Sequence, residues 1–285
     1  MLFCVEEIAI QSGGSAGFFR RDSQIWRVHR ELILLLAGGR ALLMQLAHPK
    51  IAAGVAEHSR FQHDPLARLN RTMSAMWSIV FDPRAEAAAA LRSVERRHAE
   101  VRGVVRGNEP AHGGEAYDAL DQELLLWVHA TLIDSALVAY TRFVAPLGAA
   151  EKTAYYEDAR KFAALFGIDE KIIPASLDRF VAYVEGMLLD GEIAVGPTAR
   201  RLARDVLYPR PWIFRPGGPL FRWVTAGLLP ESLRSAYDLR WSPARERMLV
   251  AFAAAIRGLL PLVPAPLRVA PNARAAEKAN RKFRN

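Results

Sequence analysis

The stretch that most constrains the fold is Leu124 to Ile133, LLLWVHATLI, the heart of a segment from Asp118 to Phe143 that reads as one long helix, apolar nearly all round. A helix with a single apolar stripe lies on a core, whereas one apolar on every side must be surrounded. The rest of the chain supplies the surrounding helices. Three-four spacing of apolar residues recurs over 24–47, 50–58, 65–81, 84–105, 149–166, 177–188, 197–207 and 243–260. No alternating strand run and no solenoid period is found. The 285 residues, 51% hydrophobic, are enough to bury a sizeable core. The expected fold is all-α, a single multi-helix domain over 23–271. A flexible lead spans 1–22, with Gly13-Gly14-Ser15-Ala16-Gly17 inside it, and a basic tail spans 272–285.

Polar residues inside apolar patterns carry the functional content. In the central helix these are His129, Asp134 and Ser135. A buried polar group costs stability unless it is hydrogen-bonded, so His129 is either a structural anchor or part of a cofactor pocket. Leu66, Leu69, Met73, Met76 and Val80 form one stripe, and Arg68, Arg71 and Thr72, related as i, i+3 and i+4, gather on a patch beside it. After the turn Phe81-Asp82-Pro83, a second stripe runs Leu91, Val94, His98, Val101, Val105. His98 therefore points inward. It is either a core histidine bonded to a backbone carbonyl or a ring facing a cofactor, with the Arg/Thr patch across from it. Imidazole is the commonest metal ligand and the usual proximal ligand of haem iron, and the pattern alone leaves both readings open. All seven histidines lie within the first 129 residues, so histidine chemistry belongs to that half.

Several classes are excluded. One cysteine, Cys4, permits no internal disulfide, no cysteine zinc site and no c-type haem attachment. There is no G-x-S-x-G elbow and no G-x-G-x-x-G after a strand. Glu95-Arg96-Arg97-His98 is a Glu-x-x-His, but a di-iron bundle needs two, and His129 has Leu126 where the second glutamate belongs. The net charge of +8 owes half of itself to the last fifteen residues, which read as a solvated end, so no nucleic-acid partner is implied. MLFCVEEIAI lacks the basic start of a secretory signal, which makes the cytoplasm the expected location. No uncharged apolar run approaches the ~20 residues of a membrane span. The segment YPRPWIFRPGGPLFRW, 208–223, reads as irregular: a loop packed on the body, a wall of the substrate entrance or a peripheral membrane contact. Gly103 to Tyr117 reads as a loop. Asp64 is the expected N-cap of the helix opened by Pro65. Gly38-Gly39 weaken their helix by roughly 1 kcal/mol each and mark a kink or a close approach, by a porphyrin or by another helix.

The blocks ALLMQLAHPKIAAGVAEHSRFQHDPLARLNRTMSAMWSIVFDP (41–83), RRHAEVRG (96–103), ELLLWVHATLIDS (123–135) and AGLLPESLRSAYDLRW (226–241) resemble the MpaB-type oxygenase family, which is related to the latex-clearing rubber oxygenases. The resemblance implies a globin-like helical core holding haem b. It places the proximal, iron-ligating histidine on His98 and the distal residues on Arg68, Arg71 and Thr72. The rubber oxygenases have a lysine where this chain has Arg71. An amine can deprotonate and bind iron while a guanidinium effectively cannot, so amine ligation does not carry over. A distal glutamate is thought to act as base in the rubber oxygenases, and the nearest candidate is Glu57. The implied activity is a haem-dependent oxygenase acting with dioxygen on a small apolar, isoprenoid or lipid-like substrate. Rubber itself, being extracellular, is not expected. The alternative is a non-enzymatic helical binding protein for a lipid-like ligand, without haem.

Overall fold

The computed structural model describes residues 16–59, 65–208 and 217–284, and it describes side chains throughout these except at 65–70 and 280–284. The helices are α1 (Gln24–His29), α2 (Gly38–Leu46), α3 (Pro49–His58), α4 (Pro65–Phe81), α5 (Arg84–His98), α6 (Gln122–Phe143), α7 (Ala149–Leu165), α8 (Leu177–Leu189), α9 (Pro197–Leu207), α10 (Gly218–Leu228), α11 (Glu231–Ala236), α12 (Pro243–Leu259), α13 (Ala265–Arg268) and α14 (Pro271–Arg284). The fold is all-α apart from one small hairpin.

α6 is the central helix. The Asp121 carboxylate caps it by accepting from the Glu123 and Leu124 amides at 2.9 and 3.3 Å. Leu124, Leu125, Leu126, Trp127, Ala130, Ile133, Ala136, Ala139, Tyr140 and Phe143 are buried along its length. By length and composition α6 could cross a membrane, but 67% of its apolar window is buried inside the fold, the setting of a core helix. α2, α7, α8 and α12 pack around it. The Trp127 indole donates to the Met44 carbonyl (3.3 Å) and Gln45 to Thr131 (3.0 Å), which fixes α2 against α6. The guanidinium of Arg40 is buried too, 5% exposed. It donates to the Leu228 carbonyl (2.8 Å), the Ser135 hydroxyl (2.7 Å) and the Asp134 carboxylate (2.5 Å). Two of the polar intrusions of α6 are thus partners of one buried arginine.

The structure departs from the sequence expectations at several points. The 24–47 pattern is three pieces, because Glu31 is extended, bridges Val269 and binds Arg268 through both carboxylate oxygens, at 2.8 and 3.1 Å; a 3-10 turn, Leu32–Ala37, follows. Gly39 is required by a helix: a Cβ there would lie 2.1 Å from the Thr225 Oγ1 and 2.8 Å from Phe221, both on α10. Within the expected loop 103–117, β1 (Arg102–Val104) pairs antiparallel with β2 (Ala116–Asp118), Gly103 opposite Tyr117. From Gly218 the Pro-rich segment is helical, since Pro219 sits in the first turn of α10, where its missing N–H costs nothing. The tail is α14, docked through buried Ala273, through Asn272 bonded to both oxygens of Asp82 (2.9 Å) and through a 3.1 Å Arg30–Glu277 pair. At the other end Phe19, within the expected lead, is buried in the core. Residues 1–15, His63, Asp64 and most of the 208–217 segment lie outside the described residues.

Candidate active site

α4 and α5 are joined by a short turn and pack along each other, which brings the N-terminal turns of α4 beside the C-terminal turns of α5, the end that carries His98. α5 holds the hairpin to the core through buried Ala87, Ala88 and Leu91. It also borders a cavity of about 960 Å³, within the ~300–1,000 Å³ range of small-molecule and cofactor sites. Leu91, Val94 and His98 line one side; Leu125 of α6, the C-terminal turns of α7 and the loop 166–173 line the others, and Phe18 and Phe19 close one end.

His98 is largely buried. Burial first, and the neighbouring Arg97 second, hold its pKa below the ordinary imidazole value, so the ring is neutral at neutral pH and keeps a lone pair. Among the described residues no hydrogen bond to its ring nitrogens is found. Arg92, Arg160 and Lys161 line the same cavity, along with Glu95, Glu157, Asp169 and Glu170. The Nε of Arg160 is buried without a partner.

His129 lies one turn beyond Leu125 on α6 but does not line this cavity. It bonds the Ala159 backbone and stacks on Phe162 with ring centroids 5.8 Å apart. Burial, and secondarily His29, pushes it down to about 3. Its surroundings are those of an anchor between α6 and α7. His29, on α1, meets the Tyr155 hydroxyl at 2.9 Å.

The other predicted site residues are distributed differently. Arg71 and Thr72 are exposed on α4 and line no part of the His98 cavity. Thr72 is in phase with buried Met76 and Ile79, but no described residue covers that end of the helix as the core covers the other. The side chain of Arg68 lies outside the described residues. Glu57, at the end of α3, is exposed yet held: it accepts at 2.5 Å from the Tyr117 hydroxyl. Burial, then this bond, raises the Tyr117 pKa, so the phenol stays a donor. A side chain at Gly103 would collide with this pair, 2.6 Å from the Tyr117 hydroxyl and 2.9 Å from the Glu57 carboxylate. His58 meets the Arg102 carbonyl at 3.1 Å, so the end of α3 is fastened to β1, four residues beyond His98. Sequence reasoning missed Tyr117, Gly103 and Arg160. The G-E-A-Y run was read as loop, and Arg160 carries no mark in its own pattern.

The catalytic-domain family of ER-bound oxygenase mpaB/B′ and rubber oxygenase matches residues 26–258, and the chain belongs to that family. Its function is therefore of the oxygenase type, with dioxygen and a substrate as reactants. Two curated mycobacterial relatives, "Uncharacterized protein Mb2261" of Mycobacterium bovis and "Uncharacterized protein Rv2237" of Mycobacterium tuberculosis, are each 27% identical to it over 214 residues, 72% of this chain and 80% of theirs. No solved structure matches the chain significantly.

Proposed function

We propose that the protein is a haem b-dependent oxygenase acting with dioxygen on a small apolar substrate, with His98 as the proximal ligand. The observation that carries this reading is a neutral, largely buried imidazole, with no hydrogen bond to its ring among the described residues, bordering a cavity large enough for a cofactor. The cavity also fits the group chemically. Leu91, Val94, Leu125, Ile168 and Ile173 offer apolar surface to a porphyrin face, and Arg160, with its orphaned buried N–H, offers a charged partner for a propionate. Haem b, when bound, supplies the activation of dioxygen.

The chain's own contributions are binding, charge and access. His98, positioned by α5, would hold the iron, and the apolar walls would exclude water from the site. Arg68, Arg71 and Thr72 are assigned to the distal side on their place in the family pattern. A guanidinium at 71 remains protonated, so it donates hydrogen bonds without ligating. Charge-assisted hydrogen bonds from such a group are roughly twice as strong as neutral ones. Glu57 is the corresponding base candidate, held in place by the bond it accepts from the Tyr117 hydroxyl. His129 is assigned a structural role.

The test is the absorption spectrum of freshly purified protein with pyridine extraction of the cofactor, for the parent and for His98→Ala. A Soret band in the parent that is lost in the variant supports the reading. Parent protein that purifies colourless and binds no added haemin would leave the helical lipid-binding alternative in its place.

A further inference from the structure

A second cluster of ligating groups lies where α3 begins, away from the cavity of His98. His48, 4% exposed, is the N-cap of α3. His112 lies in the 105–115 turn that links β1 to β2, and Glu192 lies in the α8–α9 connection. That connection is tied to α2's end by the Ala194 amide, which donates to the Ala47 carbonyl at 3.0 Å. One ligand atom from each of the three residues lies within 4.8 Å of the other two. The rings of His48 and His112 are nearly parallel, 11° apart with centroids 5.2 Å apart.

The chemistry at His112 asks for a cation. Its Nδ1 meets the Glu115 carboxylate at 3.1 Å, and Glu115 is paired with Lys50 at 2.9 Å. With Nδ1 engaged by Glu115, Nε2 is the ring nitrogen left to act as a ligand. That Nε2 is buried, and it lies 2.9 Å from a Glu192 oxygen, yet the two are not aligned as a hydrogen bond. Two potential ligand atoms this close, yet not hydrogen-bonded to each other, suit a cation shared between them. Tetrahedral zinc with bonds of ~2.0–2.1 Å sets its ligand atoms roughly 3.3 Å apart, close to this separation. A carboxylate on the far nitrogen of the ligating histidine is the usual outer partner of such sites, fixing the tautomer and raising the basicity of the ring. His48 is the remaining nitrogen donor. Its Nδ1 accepts a long 3.3 Å bond from the Lys50 amide, and coordination would cost no more than that bond.

We propose that His48, His112 and Glu192 bind one divalent transition-metal cation of the zinc class, with Glu115 as a positioning residue and a fourth position left for water. The ion ties together the start of α3, the β1–β2 turn and the α8–α9 connection. Its role is structural. None of the three ligands lines the cavity of His98, so the site does not depend on the haem assignment.

The test uses untagged full-length protein, chelator-treated and carrying whatever haem it purifies with. Co²⁺ is titrated and followed by its visible ligand-field bands, and Zn²⁺ by calorimetry and by the shift of the thermal midpoint. Expected are one ion per chain, a thermal midpoint raised by Zn²⁺, and a loss of affinity of tenfold or more in Glu192→Gln, a substitution at a half-exposed side chain outside the core. Glu115→Gln should weaken binding by ~10–100-fold without changing the stoichiometry. His98→Ala should bind Zn²⁺ as the parent does. Absence of stoichiometric binding, or binding indifferent to Glu192→Gln and to Glu115→Gln, would overturn the proposal and leave His112 as a protonated ring shared by two carboxylates.

Discussion

His129 and His98 occupy the same kind of position, one polar residue in an apolar helical stripe, and the molecule treats them in opposite ways. Around His129 the fold supplies partners: a bond to the Ala159 backbone and a stack on Phe162, with the three bonds of Arg40 to Leu228, Ser135 and Asp134 further along the same helix. Around His98 the helix borders a large cavity, and among the described residues no hydrogen bond to the ring is found. The difference lies in the neighbours. α2 and α7 close on the middle of α6, whereas at the end of α5 the facing wall is set back. Helical phase reports which residues point inward, and the neighbouring elements decide whether they meet a partner or a space.

That contrast can be broken at four places, in descending size of effect. Arg40→Ala removes a buried cation and leaves Asp134 and Ser135 without their partner. Breaking a buried pair costs about 3–5 kcal/mol, a large share of a domain's ~5–15 kcal/mol, so urea denaturation should find the variant largely unfolded or with a midpoint collapsed. A loss below ~1 kcal/mol would show that the closed region is looser than its geometry. His98→Ala should leave the denaturation midpoint of haem-free protein almost unchanged while haem content falls below about a tenth of the parent's, a loss of ~1.4 kcal/mol or more in binding. If instead His129→Leu is the variant that loses haem, the roles of the two histidines are exchanged.

His129→Leu also tests the closed region by pH. The folded pKa of about 3 lies below the ordinary 6.5, so the neutral ring costs nothing above pH 6.5. As pH falls below 6.5 the unfolded chain gains a proton that the folded chain refuses, and stability drains away until the folded ring titrates. At pH 5 this amounts to about 2 kcal/mol. The parent should lose stability between pH 7 and 5 more steeply than His129→Leu, by denaturation at each pH; equal slopes would mean that the ring is solvated in the folded state. The smallest effect is expected at Arg71, exposed in this structure. Arg71→Ala should keep its haem and slow dioxygen consumption a few-fold, roughly 0.5–1 kcal/mol in barrier. The parent's ferric electron paramagnetic resonance spectrum should show no nitrogenous sixth ligand. Such a ligand surviving in Arg71→Ala would withdraw the distal role of this residue.

Much of the helical scaffold could be read from local chemistry. Pro197–Leu207 was bounded by a glycine and a first-turn proline, and α12 by Ser242-Pro243, whose hydroxyl accepts from the Arg245 amide. Elsewhere a tertiary contact overrode the local pattern. Glu31 leaves the helix because Val269 and Arg268 hold it, over 230 residues downstream. Three-residue strands are too short to show alternation, so the hairpin had no signature. Of the candidate site, the inward phase of positions 98 and 129 was legible, and their different surroundings were not. The walls facing His98 come from α7 and the 166–173 loop, where Arg160 and Ile168 sit in no pattern that includes it. His48 and His112 were counted as histidines but not as neighbours, since only the folding of α3 and the hairpin brings them together.

The docking of α14 bears on the order in which the molecule can assemble. Arg21 donates to the Ala276 carbonyl across 255 positions, Arg30 meets Glu277, and Asn272 grips the turn between α4 and α5 at Asp82. A ribosome adding ~5–20 residues per second exposes α1 and the α4–α5 hairpin many seconds before α14 emerges. During that interval the flank that Ala273 will cover is bare, on the same hairpin that bears His98. Nascent chains should therefore expose this flank to chaperones or to premature ligands. Docking of α14 is the step that seals it.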